Sequence, residues 1–302
     1  MAKRSRRKKK AESQTNYREG NIDNSRPDSK PTLIALLLVV ILIGSGLYLT
    51  SMVDTEETTT NRATYGVEAE LVTNNHNVEP GGETDFVLLV KNTGSVTDTF
   101  TISTKSNDGG FTIDVESGFK TILLNKDARK PLLINVKTSS SAEGLLYSYM
   151  EIVSGGDSTK RAEVKLEVNA DYSFGNLTKT GDSVDVHYAG ILASNAKLFD
   201  SSMEYIWDNY QYRRTGVTDN NRHTDTLPAS HIGCVEAGNP TEDCDGSKGM
   251  IDGFDSKMIG MYEGQMLAVR IPASQAYGEA GSSSSDLAGE DLIFIIEMVN
   301  IN

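Results

Sequence analysis

The longest uncharged stretch of the chain covers residues 31–53, which contain no Asp, Glu, Lys or Arg. A helix of this length rises about 1.5 Å per residue and can cross a hydrocarbon layer of about 30 Å. A basic cluster at residues 3–10 precedes the stretch, and acidic residues follow it from Asp54. The positive-inside rule therefore predicts a transmembrane helix, a cytoplasmic N-terminal tail and a single-pass cell-membrane protein whose remaining domains are extracytoplasmic. A cleaved signal peptide is the alternative, although its basic region would be unusually long.

Charge is distributed very unevenly along the 302 residues. Residues 1–30 hold ten Lys and Arg against four Asp and Glu, so the predicted tail carries a net charge of +6. The totals are 29 and 42, which leaves 19 basic and 38 acidic residues and a net charge of −19 for the rest. Nucleic-acid binding needs clustered positive charge that displaces counterions from phosphates. The charge therefore argues against a nucleic-acid partner for the folded part.

A polar, Thr-rich segment at residues 54–64 is typical of a stalk, and a run of short strand patterns follows it at residues 65–170. Turn signals separate seven predicted strands, at residues 67–72, 86–90, 99–104, 111–115, 132–136, 147–153 and 162–168. Seven short strands without a helix predict a β-sandwich. The stretch at residues 78–103 also resembles immunoglobulin-like modules of archaeal and bacterial surface proteins, which favours a spacer domain.

The last part of the chain, residues 171–302, contains five motifs in a fixed order. They are a strand ending in HYAG at residues 181–190 followed by LFDSS, GMIDGF at 249–254, IGMYEGQ at 259–265, VRIPASQAYGEAG at 269–281, and the strand GEDLIFIIEMVNI at 289–301. This series resembles the FKBP-type peptidyl-prolyl cis-trans isomerases. The resemblance implies an antiparallel sheet wrapped on a short helix, so the predicted fold class is α+β, preceded by the all-β sandwich and the transmembrane helix.

The chemistry of proline isomerisation agrees with the residue types in these motifs. Rotation about an Xaa-Pro bond has a barrier near 20 kcal/mol because amide resonance must be broken. A dry apolar cup disfavours the charge-separated planar amide relative to the twisted transition state. Such a reaction requires no nucleophile, metal or cofactor.

The resemblance implies a specific set of pocket residues. The apolar members are Tyr188, Phe199, Met250, Ile251, Phe254, Tyr277 and Phe294, with Phe254 as the floor. The implied polar groups are the Asp200 carboxylate, the Tyr277 hydroxyl and the Ile251 amide. Each residue type also has an ordinary structural role, since aromatic side chains fill cores and an Asp followed by Ser is common in turns.

Two regions depart from the family pattern, and both lie beside the implied pocket. An insertion at residues 203–249 separates the first motif from the second and leaves Pro228 near the expected position of an aromatic wall. Its aromatic residues either replace that wall or pack the insertion itself, and they are Tyr205, Trp207, Tyr210 and Tyr212. The second departure is the loop at residues 282–287, a run of four serines followed by Asp286 and Leu287, in which only Leu287 is apolar.

Both cysteines of the chain, Cys234 and Cys244, lie in the insertion. A disulfide, two free thiols, and a metal site that includes His231 are the three states considered. The spacing fits no standard zinc pattern, and an extracytoplasmic location favours a disulfide.

These features together predict a membrane-tethered peptidyl-prolyl isomerase that assists the folding of exported or surface proteins. Its partners would be proline-containing unfolded or nascent polypeptides and the membrane at residues 31–53. The alternative is a non-catalytic chaperone or binding protein that keeps the fold without an effective pocket.

Overall fold

The computed structural model describes residues 62–219, 222–233 and 250–302. Arg62–Asn302 is one compact unit that contains two β-rich domains in close contact. Several predictions fall outside the described residues: the tail at 1–30, the apolar run at 31–53, nearly all of the stalk at 54–64, and the disulfide between Cys234 and Cys244.

The N-terminal domain is a sandwich of two sheets. Its strands are β1 Val67–Leu71, β2 Asn75–Asn77, β3 Glu83–Asn92, β4 Asp98–Asn107, β5 Phe111–Val115, β6 Thr121–Leu124, β7 Arg129–Thr138, β8 Leu145–Ser154 and β9 Arg161–Asn169. One sheet has the order β1-β3-β7-β5, and the other has the order β2-β9-β8-β4-β6. All seven predicted strands are present, and the structure adds the short strands β2 and β6.

Alternation along the strands explains how the two sheets meet. In β3, Phe86, Leu88 and Val90 point into the sandwich and are fully buried. They pack with Phe100 on β4 and with Leu166 on β9, which belong to the opposite sheet. Because successive side chains of a strand point to opposite faces, the intervening residues of β3 are available for a second contact.

The C-terminal domain is built on a five-stranded antiparallel sheet. Its strands are β10 Val184–Leu192, β11 Leu198–Ser201, β12 Leu227–Ala229, β13 Met266–Ile271 and β14 Leu292–Ile301. The order is β11-β10-β14-β13, and β12 also pairs with β10. Its two α-helices are α1 Glu204–Asn209 and α2 Asp252–Met258, and a 3-10 helix covers Ala273–Gln275.

The predicted fold class needs correction. The described residues are mainly β, and their two α-helices have only six and seven residues, so the α+β class is wrong. Neither helix of the described ranges is long and apolar enough to span a membrane. The prediction of a single-pass membrane location is therefore not supported, and the apolar run on which it was based lies outside these ranges.

The two domains share an apolar interface, which we call the seam. On the sandwich side, Val87 and Leu89 of β3 point away from their own core. On the other side, they meet the outer face of the C-terminal sheet and helix α1 of the insertion. The buried residues contributed by that side include Ala189, Ile191, Ala268, Ile293, Ile295, Ile206, Trp207 and Tyr210. The insertion thus fills space between the domains.

Polar contacts at the seam join the same two domains. The Arg270 guanidinium on β13 makes a bidentate contact with the Glu116 carboxylate, at 2.5 and 2.8 Å, and both side chains are only 18% exposed. The Thr84 hydroxyl donates to the Met266 carbonyl oxygen at 3.1 Å. A guanidinium and a carboxylate in this forked geometry form one of the stronger polar pairs in proteins.

Candidate active site

A cavity of about 390 Å³ lies on the inner face of the C-terminal sheet. It is lined by all eight predicted pocket residues, namely Tyr188, Phe199, Asp200, Met250, Ile251, Phe254, Tyr277 and Phe294. Leu227, Asp252 and Ala276 complete the lining. The structure therefore brings together side chains from four strands, helix α2, the segment before this helix and the loop after the 3-10 helix.

Aromatic rings form the deep part of this cavity. Phe254 packs edge to face on Phe294 with ring centroids 5.0 Å apart, and Phe199 packs in the same way on Phe294 at 5.6 Å. Tyr188 meets Phe254 edge to face at 6.2 Å. Phe254 and Phe294 are 3% and 4% exposed, so the floor is shielded from water. Edge-to-face pairs of this kind add to the stability gained from burial alone.

The register of β10 and β14 explains why the rings converge. Gly190 lies opposite Phe294, and Tyr188 lies opposite Ile296, so the two aromatic side chains emerge diagonally on one face. A Cβ at Gly190 would lie only 2.3 Å from the Phe199 ring. The glycine of the HYAG motif is therefore required for Phe199 to lie across the strand.

Asp200 places a carboxylate at the edge of this aromatic cup. Its Oδ2 atom accepts a hydrogen bond of 2.6 Å from the Tyr188 hydroxyl. Burial, reinforced by the bond to Asp200, raises the pKa of Tyr188 well above its ordinary value, so the hydroxyl keeps its proton and donates. The Oδ1 atom is buried and has no hydrogen-bond partner among the described residues. One carboxylate oxygen is thus hydrogen-bonded, and the other is buried without a partner in this part of the chain.

Two further polar groups lie at the cavity. Burial, with a smaller contribution from Asp200, raises the pKa of Tyr277, so its hydroxyl also stays protonated. Ile251 is the residue before the first turn of α2, and its carbonyl oxygen accepts from the Phe254 and Asp255 amides. Its own amide donates to no acceptor within the described residues.

Known proteins show which family the C-terminal part of this chain is similar to. A family model described as FKBP-type peptidyl-prolyl cis-trans isomerase matches residues 229–299. The chain is 27% identical over 164 residues to FK506-binding protein 2 of Dictyostelium discoideum, covering 52% of this chain and 98% of that protein. It is 30% identical over 121 residues to peptidyl-prolyl cis-trans isomerase FPR2 of Saccharomyces cerevisiae, covering 40% and 66%.

The C-terminal domain is an FKBP-type isomerase domain. It is an enzyme that catalyses peptidyl-prolyl cis-trans isomerisation, and its substrates are proline-containing polypeptides. The matched range, residues 229–299, does not include Tyr188, Phe199 and Asp200. Their place in the pocket is based on the geometry described above. Among solved structures, the FixG-related protein of Vibrio parahaemolyticus aligns over 36% of this chain and 98% of the FixG-related chain, with 9% identity and a TM-score of 0.28. That likeness is too weak to assign the sandwich to a family.

The first departure of the FKBP-type domain from the family pattern, the insertion that places Pro228 near the expected aromatic wall, leaves no gap in the wall of the cup. Pro228 is exposed on β12, where it pairs with Asp185, and its neighbour Leu227 lines the cavity. The wall that the sequence left uncertain is therefore aliphatic. None of the four aromatic residues proposed as replacements lines the cavity. Trp207 and Tyr210 are buried in the seam instead.

The serine loop is held by its own hydrogen bonds. The Ser283 hydroxyl donates to the Tyr277 carbonyl oxygen at 2.7 Å, and the Ser282 hydroxyl donates to Glu279 at 2.6 Å. Leu287 is 8% exposed and packs into the domain core, so it is not a substrate-gripping residue at the cavity. These serines fix the loop that carries Tyr277.

A histidine that contacts the pocket residues without lining the cavity has no counterpart in the sequence prediction. His223, from the insertion, places its Nδ1 atom 2.8 Å from Asp200 Oδ2 and 3.0 Å from the Tyr188 hydroxyl oxygen. No motif contains this residue, and a histidine in a polar loop carries no signal of its own. Only the pairing of β12 with β10 shows that the segment returns to the pocket.

Proposed function

We propose that the cup formed by Tyr188, Phe254 and Phe294 takes up the prolyl ring of the substrate. The support is the closed aromatic floor, in which both phenylalanines are nearly inaccessible to water. In such surroundings the charge-separated planar amide loses solvation, while the twisted transition state has less charge to solvate. An acceleration of about 10³ to 10⁴ requires about 4 to 5.5 kcal/mol of differential stabilisation.

The polar groups at the edge then hold the substrate chain. In this proposal the Ile251 amide and the Tyr277 hydroxyl donate to substrate carbonyl oxygens, and Asp200 Oδ1 accepts a donor of the substrate. The support is that both donors retain their protons and that Oδ1 is unpartnered among the described residues. A buried carboxylate oxygen without a partner is costly, so a substrate N–H at this atom would recover free energy.

The substrate proposed here is an unfolded or flexible polypeptide with an accessible Xaa-Pro bond. The cavity is open to solvent, and its lining combines apolar side chains with the two carboxylates Asp200 and Asp252. The narrower prediction, that the substrates are exported proteins, depended on the membrane location and is not carried forward. The buried aromatic floor favours catalysis over the alternative of a non-catalytic binding protein.

The test is catalysed exchange of a short Xaa-Pro peptide by the full-length chain. We expect acceleration by the wild-type protein and a fall of about tenfold in kcat/KM for Asp200→Ala, equivalent to about 1.4 kcal/mol. Asp286→Ala is the matched control, because this carboxylate is exposed and lies outside the cavity lining. Folded wild-type protein without any acceleration would contradict the proposal and favour the binding protein.

A further inference from the structure

The insertion contributes a side chain to the polar edge of the pocket. His223 lies four residues before β12, its side chain is 65% exposed, and its Nδ1 atom faces Asp200 and Tyr188. The Asp200 side chain is 21% exposed. Two short contacts therefore converge on one carboxylate oxygen, Oδ2, from a strand residue and from a loop residue, and a third contact joins Tyr188 to His223.

Proton positions follow from what each group can donate. The Tyr188 hydroxyl has a single proton and gives it to Asp200 Oδ2. An ionised carboxylate has no proton to give, so the contact of 2.8 Å requires a hydrogen on Nδ1 of His223. The Tyr188 oxygen, at 3.0 Å, is then a second acceptor for the same N–H. The arrangement selects the Nδ1–H tautomer of a neutral His223.

Two donors on Oδ2 determine where the other oxygen points. A carboxylate held by one donor can still rotate about its Cβ–Cγ bond, whereas donors from two directions restrict that rotation. Oδ1 is buried and unpartnered in the described part of the chain, so rotation would move the oxygen that is free for the substrate. Fixing Oδ2 therefore orients Oδ1.

We propose that His223 is a positioning residue that holds the Asp200 carboxylate so that Oδ1 faces the substrate. The inference rests on the proposed role of Asp200 in binding the substrate. It gives the insertion two separate tasks, since helix α1 fills the seam while the segment before β12 adjusts the pocket. Neither task is visible in the residue pattern of the insertion.

The kinetic test compares three variants of the full-length chain on a short Xaa-Pro peptide. His223→Phe keeps a planar ring without a donor, and we expect kcat/KM to fall about fivefold, the size of one net hydrogen bond. His223→Asn restores an N–H donor near the Nδ1 position and should return kcat/KM to within about twofold of wild type. Thr224→Ala is the control, because this neighbour is exposed and makes no contact with Asp200.

A double-mutant cycle separates positioning from a general effect on the loop. In an Asp200→Ala background, His223→Phe should cause no further loss, because the group on which it acts is gone. Three results would each overturn the proposal. They are an equal loss of kcat/KM in both backgrounds, a His223→Phe variant as active as wild type, and a His223→Asn variant with a kcat/KM as low as that of His223→Phe.

Imidazole ¹⁵N spectra provide a readout that does not depend on activity. At pH 8 the wild-type His223 ring should carry its proton on Nδ1, and Asp200→Ala should shift it toward the more common Nε2–H form. An Nε2–H tautomer in the wild type would refute the positioning role even if the enzyme were active. An Nδ1–H tautomer in a chain without isomerase activity would instead mean that the proposed function, and not the contact, is wrong.

Discussion

The two faces of the C-terminal sheet are built from the same strands but have different neighbours. On β10, Tyr188 and Gly190 face the pocket, whereas Ala189 and Ile191 face the sandwich. On β14, Phe294 faces the pocket and its neighbours face the seam. The pocket face leaves a cavity among large aromatic rings, while on the seam face β3 and helix α1 cover the small and aliphatic side chains of the sheet. Substitutions on the pocket face should therefore alter catalysis, and substitutions on the seam face should alter only stability.

The largest effect is expected for Phe254→Ala on the pocket face. It removes the floor of the cup, so kcat/KM should fall more than tenfold, and the free energy of unfolding should fall by about 3 to 5 kcal/mol. Phe100→Ala is the matched control, because this ring is fully buried in the sandwich core. The control should lose similar stability, as measured by denaturant unfolding, but keep its kcat/KM per folded molecule. Equal kinetic losses in both variants would remove the distinction between the faces.

The corresponding change on the seam face is Trp207→Ala. This side chain is 2% exposed and its indole N–H donates to Asp219 at 2.7 Å, so we expect a loss of about 3 to 5 kcal/mol in unfolding free energy. Activity per folded molecule should stay within about twofold of wild type. Tyr205→Ala on the same helix is the control, because Tyr205 is 45% exposed and should cost much less stability. A kinetic loss for Trp207→Ala alone would show that the seam controls the pocket.

A smaller effect is expected from the polar contact of the seam. Arg270→Gln leaves the Glu116 carboxylate largely buried without its cation, which should cost about 2 to 3 kcal/mol in thermal or denaturant unfolding. Lys137→Gln breaks an exposed pair with Glu83 and should cost less than about 1 kcal/mol. Adding Glu116→Gln to Arg270→Gln should recover part of the loss. A loss no larger than that of the exposed pair would mean that the domains are not joined through Arg270.

The smallest effect is a pH dependence on the sandwich side. Asp85 lies on the same face of β3 as Val87 and Leu89, and burial raises its pKa to about 6. The folded protein then holds this proton more tightly than the unfolded chain, so the contribution of Asp85 to stability falls as pH rises from about 4 to about 6.

The pKa shift sets an upper limit of about 3 kcal/mol for the penalty from Asp85 at neutral pH, and Asp85→Asn should remove this penalty. Unfolding free energies of wild type and Asp85→Asn measured at pH 4 and pH 7 give the comparison. The variant should gain relative to wild type only at the higher pH. The same difference at both pH values would show that Asp85 does not titrate in this range.

The pocket residues were predicted because their motifs resemble those of the FKBP-type isomerases, and the residue types in those motifs suit an apolar cup. Antiparallel pairing of β10 with β11 and β14 brings the HYAG glycine, the aromatic residues and Asp200 together in one cup. The strands of the sandwich were predictable from the residue pattern itself, since alternation marks the buried side of β7 and β9. The short strands β2 and β6 were missed because three or four residues are too few to show a period.

The seam was missed although the sequence contains a signal for it. The segment LIFII at residues 292–296 is apolar at every position, and an antiparallel strand of this type is usually covered on both faces. The pattern indicates that both faces of β14 are covered, but it does not show which element covers the second face. The same limit applies to His223, whose role depends on a loop that returns to β10 rather than on any local pattern.

The most direct test of two faces with separate roles uses methionine methyl groups as reporters. Met250 lines the pocket, whereas Met203 is 2% exposed and buried in the seam. Titration of ¹³C-methyl-methionine full-length protein with an Xaa-Pro peptide should shift the Met250 resonance and leave the Met203 resonance unchanged. A peptide that shifts Met203 while leaving Met250 in place would contradict the assignment of substrate binding to the aromatic cup.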